Sequence, residues 1–335
     1  MSLRSPLATL LPNGPDPRPA FRAVEGLGLV AAAAIPLFIV WTQLFGRFPS
    51  PVQYGTALAL GLIAIFCLKP AFTGPDGRRT ALDLLVSLIL IAGALGAWGY
   101  YTAEYDAIAA SREGLPNRAD LWCYGIGTAV VVIGAHRAEG WLLTAVVALA
   151  AIYLLFGHLM PGLLEHRPFR LNRVLEIAYG YRGIFGVALG SVVDIVLVFV
   201  ILGVALRLTG AGEFFNDIAL AALGRRRGGA AKISILASTL FGTISGVVVS
   251  NIVATGVVTI RLMIRSGYRP RMAAAVEAVA STGGQIAPPV MGAVAFLMAD
   301  FLGVSYAQVA IAAIIPAALN ELAWPSHRGP YPART

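Results

Sequence analysis

Two stretches of the chain carry residues whose types and spacing could do chemistry. Gly242 to Asn251 reads GTISGVVVSN, and Ser281 to Pro289 reads STGGQIAPP. Both set glycine beside hydroxyl and amide side chains inside long apolar runs, which is poor material for an unbroken helix. Pro288 and Pro289 lack backbone donors and disfavour helix in the residue before them. Where a helix is interrupted, freed carbonyls can coordinate a dehydrated cation, and half-helix N-termini direct N–H groups at an anion. Ser245, Asn251, Thr255, Ser281 and Thr282 add oxygen ligands that carry no charge. The chemistry on offer is binding rather than catalysis. An enzyme built on Ser245 or Ser281 as nucleophile finds no support: there is no His-Glu-x-x-His pair, no acidic metal cluster and no histidine placed by motif. Small residues also let helices pack closely, and Gly242-xxx-Gly246 taken alone has that reading.

The elements around these stretches must fold back or break. Ile233 to Ile260 is 28 residues without charge, about 42 Å as one straight helix against a hydrocarbon core of roughly 30 Å. Basic residues flank it on both sides: Arg225, Arg226, Arg227 and Lys232 before, Arg261, Arg265, Arg269 and Arg271 after. Two half-length helices meeting at a polar tip would put both flanks on one face, as a re-entrant hairpin. Met272 to Asp300 is then a discontinuous helix, broken at mid-membrane. Non-helical backbone at that depth survives only where it is buried in protein or lines a wet cavity.

The remaining sequence is a scaffold for the bilayer. Of 335 residues, 58% are hydrophobic and 13% charged, with mean hydropathy +0.77, which excludes a soluble enzyme with a single anchor. Apolar runs span Gly26–Phe45, Val52–Leu68, Leu84–Tyr101, Leu121–Ala135 and Trp141–Leu159, with His136, Arg137 and Glu139 expected as a tight turn between the last two. Pro161 to Gly190 carries Arg167, Arg170, Arg173 and Glu176 among Leu171, Val174, Leu175 and Ile177, the pattern of an interfacial amphipathic helix. A sixth run, Ser191–Leu206, contains Asp194, expected at the outer interface. A last run covers Val304–Leu319 before a polar tail. His158 is expected at an interface, Glu277 is a secondary site candidate facing the cavity or the cytoplasmic surface, and Cys67 and Cys123 are small buried hydrophobes. The net charge of +8 implies no nucleic acid, because arginine clusters in short loops as the positive-inside rule expects. With the N-terminus inside and the hairpin re-entrant, most basic residues fall on the inner side; if the hairpin stretch crossed the membrane instead, the bias would vanish. The fold expected is therefore an all-α polytopic membrane protein, a helical bundle with a re-entrant hairpin and a discontinuous helix. Its parts are 1–25 cytoplasmic, 26–160 a first membrane domain, 161–190 a connecting segment, 191–319 the domain holding the broken elements, and 320–335 a tail.

The runs Phe241–Met263 (FGTISGVVVSNIVATGVVTIRLM) and Gly267–Val304 (GYRPRMAAAVEAVASTGGQIAPPVMGAVAFLMADFLGV) closely resemble the membrane subunit of tripartite ATP-independent periplasmic (TRAP) transporters, and Leu208–Gly229 fits as well. Within that family the chain looks like the TAXI-type fused permeases, in which residues 26–160 would be the small subunit joined to the large one. The resemblance implies one half of an inverted-repeat transporter: a sodium-coupled, elevator-type secondary importer of organic anions in the bacterial inner membrane, fed by a TAXI-type periplasmic solute-binding protein. It needs no cofactor beyond sodium as coupling ion. Carried over by position, the first tip comprises Gly242, Ser245, Gly246, Asn251 and Thr255. The second interruption comprises Ser281, Thr282, Gly283, Gly284, Pro288 and Pro289. Sodium candidates are Ser245, Asn251, Thr255, Ser281 and Thr282. The chain has Val247 where family tips often carry a hydroxyl residue, and Arg261 where they often carry proline. Neither motif recurs, so the expectation is a chain truncated after the first half of the large subunit, either awaiting a second half or a non-transporting remnant.

Overall fold

The structure, a computed structural model, describes residues 18–74, 78–223 and 229–323. The basic residues Arg225, Arg226 and Arg227 and most of the polar tail lie outside the described residues. Among those described there is no strand element, and seven helices are long and apolar enough to cross a bilayer. The chain is an all-α polytopic membrane protein. It divides into two compact units, Met1–Val193 and Asp194–Thr335.

The first unit contains α1 (Pro19–Phe45), α2 (Ser50–Leu68), α3 (Ala81–Ala103), α4 (Arg118–Glu139) and α5 (Trp141–Phe156). Each of the first four outruns its apolar stretch: α1 and α2 start with proline in the first turn, and α3 and α4 start on the side-chain caps Thr80 and Asn117. Asn117 and Asp120 form a reciprocal capping box that starts α4. His136, Arg137 and Glu139 are not the expected turn: they are the last turn of α4, and Gly140, with φ +83°, makes the break alone. Helix is possible there because Arg137 turns inward, donating to Ser87 Oγ at 2.8 Å and lying 3.6 Å from Asp83, which also pairs with Arg79 at 2.7 Å. Charges inside a membrane domain are thereby held against each other. Glycine sets the helix spacing where α1 meets α2: a Cβ on Gly28 would lie 2.5 Å from Cys67 Cβ. Leu62, Phe66, Cys67, Ile91, Ala94 and Val130 form the core on that side.

The connecting segment is less regular than expected. Only α6 (Leu171–Tyr179) is α-helical within Pro161–Gly190 before the next helix begins at Val187; Gly162–Leu164 is a single 3₁₀ turn, and Gly180, Gly183 and Gly186 make tight turns closed by backbone hydrogen bonds. Glycine and proline at both ends deny the longer helix its continuity. Arg173 and Glu176 pair at 2.8 Å on α6, while Tyr179 is buried against Tyr101, Tyr124 and Phe185.

From α7 (Val187–Ser191) the chain passes through a π-helical turn, Val192–Val196, that carries Asp194. The second unit then comprises α8 (Leu197–Leu208), α9 (Ala211–Leu223), α10 (Gly229–Ser245), α11 (Val248–Arg265), α12 (Pro270–Gly283), α13 (Ala293–Leu302) and α14 (Tyr306–Ala323). Helix α9 was not foreseen; its Gly212, Asn216 and Ala219 form the buried face of an otherwise polar-flanked segment.

Candidate ligand and ion site

The uncharged 28-residue run is a helical hairpin. Gly246 adopts φ +60° after Ser245, Val247 is extended, and α11 starts at Val248. A left-handed glycine is the usual way for a helix to stop. Side-chain contacts show that the arms are antiparallel. Asn251 Nδ2 donates to the Ser238 carbonyl at 2.7 Å, Ser238 Oγ lies 3.0 Å from Thr255 Oγ1, and farther from the tip Ser234 and Thr259 both donate to the Glu277 carboxylate. Each step away from the tip on one arm is matched on the other, so both flanks leave at one end. The arms are longer than the half-length helices expected, at 17 and 18 residues, or about 26 Å each.

The second interruption is also real. Helix α12 ends at Gly283, a 3₁₀ turn covers Gly284–Ile286, a turn containing a cis Pro288–Pro289 bond follows, and α13 begins at Ala293. The break docks on the hairpin tip. Val290 N–H donates to the Thr243 carbonyl at 3.0 Å, and Gln285 Nε2 to the Gly246 carbonyl at 3.3 Å. Tyr306 of α14 holds the break from the other side, donating to the carbonyls of Pro289 and Val290. Gly246 has to be glycine twice over, since a Cβ there would collide with the Met291 carbonyl. Gly242 and Gly284 face each other at the helix crossing, where a Cβ on Gly242 would lie 2.5 Å from Gly284 Cα. Their role is close packing; Gly246 shapes the tip.

Tip and break, with the start of α8 and the turn before it, line a partly open cavity of about 30 Å³ bordered by Val196, Phe199, Ser245, Val247, Met291 and Ala293, among others. Ser245 is 3% exposed and its Oγ has no hydrogen-bond partner. A buried unpaired hydroxyl costs about 1–3 kcal/mol. Neither α11 nor α13 has a side-chain N-cap, and the residues at their starts, Val247 and Ala293, border this space. Two uncapped helix N-termini and a free hydroxyl favour negative charge or water. The volume suits one or two waters or a single small polar group, not a whole organic anion.

The other predicted residues collect elsewhere. Glu277, fully buried, accepts hydrogen bonds from Ser234 and Thr259 on Oε2, at 2.6 and 2.5 Å, and from Ser238 and Thr255 on Oε1, both at 2.7 Å. Ser281 lies a further 3.4 Å from Oε1. Asn251 closes one side through the Ser238 carbonyl, and a Cβ on Gly256 would sit 3.1 Å from Glu277 Cγ. Thus Thr255, Ser281 and Asn251 belong to a hydroxyl cage around Glu277, between α10, α11 and α12, and Glu277 faces neither cavity nor surface. Thr282 joins neither group: it is exposed and donates to its own helix at the Ala278 carbonyl, 2.7 Å. Pro289 is exposed as well. Ser234, Ser238 and Thr259 were missed, although a signal existed: hydroxyls at positions 234 and 238, then 255 and 259, and the pair 277 and 281, all repeat at i,i+4 on one helix face. Among the described residues no ion pair joins Glu277 to a basic side chain. Placing a carboxylate at the centre of a membrane helix costs about 2.5–3.5 kcal/mol even on the mildest scale. In the link beyond α11, burial raises the Tyr268 phenol above its ordinary range.

A multi-pass helical protein whose backbone leaves the helix twice, with the two breaks docked on each other, has the architecture of a membrane transporter. The sequence matches the family described as "Tripartite ATP-independent periplasmic transporter, DctM component" over residues 126–324, and the chain belongs to that family. That family is one of transporter components, not of enzymes. It is 32% identical over 125 residues to "Uncharacterized protein YgiK" of Salmonella typhimurium, covering 37% of this chain and 28% of that one. It is likewise 32% identical over 124 residues to "C4-dicarboxylate TRAP transporter large permease protein DctM" of Pseudomonas aeruginosa, covering 37% and 29%. The chain therefore spans less than a third of the length of these relatives. The family match begins at residue 126, inside the stretch expected as a small-subunit domain. No solved structure matches.

Proposed function

We propose that this chain is a permease component of a TRAP-type secondary importer of organic anions, with carboxylates such as C4-dicarboxylates as the substrate class. In this reading sodium is the coupling ion, a TAXI-type periplasmic solute-binding protein delivers the substrate, and residues 26–160 act as the small subunit. The chain sits in the bacterial inner membrane with its N-terminus in the cytoplasm. A second half of a large permease completes the site. The observation that carries the proposal is the cavity between tip and break, where the unpartnered Ser245 hydroxyl and two uncapped helix N-termini match one carboxylate of an anion. Of the sodium candidates, Ser245 alone borders the cavity.

The test is uptake of labelled C4-dicarboxylate into proteoliposomes holding this chain, the binding protein and a candidate second-half chain, with and without a sodium gradient. Uptake that needs sodium and all three parts, and that falls about 10-fold or more in Ser245→Ala through loss of a bond to a charged group, supports the proposal. Uptake indifferent to Ser245→Ala removes the site; no uptake in any combination removes transport by this chain.

A further inference from the structure

We infer that the first unit binds the headgroup of a phosphatidylethanolamine-type lipid, a phosphate and an ammonium on one short chain, in a tyrosine-lined pocket at one end of α3 and α4. The inference concerns a different unit from the Ser245 cavity and does not rest on the transport reading. The pocket holds about 150 Å³, far more than the cavity at the hairpin tip. Tyr101 lines it from the end of α3, Tyr105 and Ile108 from the chain that follows into a π-helical turn over Ile108–Arg112, and Tyr124 from the first turns of α4. Glu176 of α6 and Tyr181 just beyond it complete the wall. Since α3 ends at Ala103 and α4 begins at Arg118, the pocket lies where spanning helices end, at the level at which amphipathic rings meet lipid headgroups.

Its polar groups call for both charges of such a headgroup. Tyr101 and Tyr124 are each only 2% exposed, yet among the described residues neither hydroxyl has a hydrogen-bond partner, nor has that of Tyr105. The adjacent Tyr100 shows the contrast, its hydroxyl donating to Asp120 at 2.9 Å. Buried hydroxyls left unmatched at a pocket wall are donors for an oxygen-rich ligand, and phosphate is one. At the rim Arg173 pairs with Glu176 at 2.8 Å and Arg182 with Glu113 at 3.1 Å. Arg173 makes its pair through Nη1 alone, so the rest of its planar fork can reach a phosphate oxygen. The rim carries the two signs in equal number. A lone anion or a lone cation would upset that balance, whereas a group bearing both keeps it. The rings suit the ammonium: Tyr101 stands at 68° to Tyr105 and at 65° to Tyr124, so ring faces turn in different directions and form a corner for a cation. At about 30 Å³ per water, the volume admits a headgroup and excludes acyl chains. Those would run outside along Leu115 and Trp122, both strongly exposed at this end of α4.

The experiment is native mass spectrometry of the delipidated full chain in detergent, titrated separately with phosphatidylethanolamine, with phosphatidylglycerol, which has the phosphate but no ammonium, and with free phosphoethanolamine. One phosphatidylethanolamine is expected to bind saturably per chain, more tightly than phosphatidylglycerol. Tyr124→Phe keeps the ring and removes one donor to a charged oxygen, so that binding should weaken about 10-fold. Ala109→Phe puts a ring into the pocket from an exposed position of the π-helical turn and should abolish it. This second variant keeps the test decisive should Tyr124→Phe fail to fold. Equal retention of the two lipids overturns the inference, and so does phosphatidylethanolamine binding that ignores Tyr124→Phe or Ala109→Phe. Free phosphoethanolamine separates the sources: it should bind far more weakly than the lipid, and binding as tight as the lipid's overturns the lipid assignment. Failure here would leave the Ser245 cavity untouched, and failure of the uptake assay would leave this titration untouched.

Discussion

Gly246→Ala compared with Gly303→Ala isolates what the docking of the break against the tip is worth. Both glycines are left-handed, at φ +60° and +64°, but a Cβ on Gly246 would strike the Met291 carbonyl, whereas a Cβ on Gly303 meets nothing within 4 Å. The conformational cost is common to both, about 1–2 kcal/mol. Gly246→Ala adds overpacking of about 1–3 kcal/mol, so its total is roughly 2–5 kcal/mol, and the difference is roughly 5- to 150-fold in the unfolding equilibrium. The readout is thiol exposure on heating in a cysteine-free background carrying Met263→Cys, a fully buried position in the same unit. Equal destabilisation by the two substitutions, or a larger effect at Gly303, would refute the close approach of Met291 to the tip.

Asp83→Ala is expected to destabilise the first unit by about 3–5 kcal/mol, because the buried Arg79 and Arg137 lose their shared counter-charge; premature reactivity of the buried Cys67 thiol on heating reports it. The hairpin predicts that cysteines at Lys232 and Ser266, near the outer ends of α10 and α11, label from the same side of sealed vesicles; labelling from opposite sides would contradict it. Gly242→Ala should weaken the crossing with Gly284 by about 1–3 kcal/mol in the Met263→Cys assay, since the added Cβ would lie 2.5 Å from Gly284 Cα and the backbones must part to admit it; no measurable change would place the crossing elsewhere.

The two breaks were legible because glycine and proline act locally. Gly246 beside polar residues and the two consecutive prolines Pro288 and Pro289 are local break signals, stronger than the single prolines Pro36 and Pro316, which stay inside helices. The ends of helices were less legible, since charge reads as loop until its partner is known. Arg137 belongs to α4 only because Asp83, far away in sequence, receives it. Helix α9 was hidden for a similar reason: Glu213, Asn216 and Asp217 look like a linker until Gly212 and Ala219 are seen packed against the hairpin. The division of the site was the least legible. Sequence placed Ser245, Asn251, Thr255 and Ser281 together, but an α-helical repeat turns Asn251, Thr255 and Thr259 along one face towards Glu277 and leaves Ser245 at the tip. That separation depends on three helices converging, which no single stretch of residues encodes.

The most direct test of the account is cross-linking between the two interruptions. With cysteines at Thr243 and Val290, whose backbones share a 3.0 Å hydrogen bond, an oxidant or a short bifunctional thiol reagent applied to native membranes should join the two positions in high yield, while pairing Thr243 with the distant end of α14 gives none. Absence of the Thr243–Val290 cross-link, with both thiols shown to be reactive, would mean that tip and break do not meet and that the cavity between them does not exist.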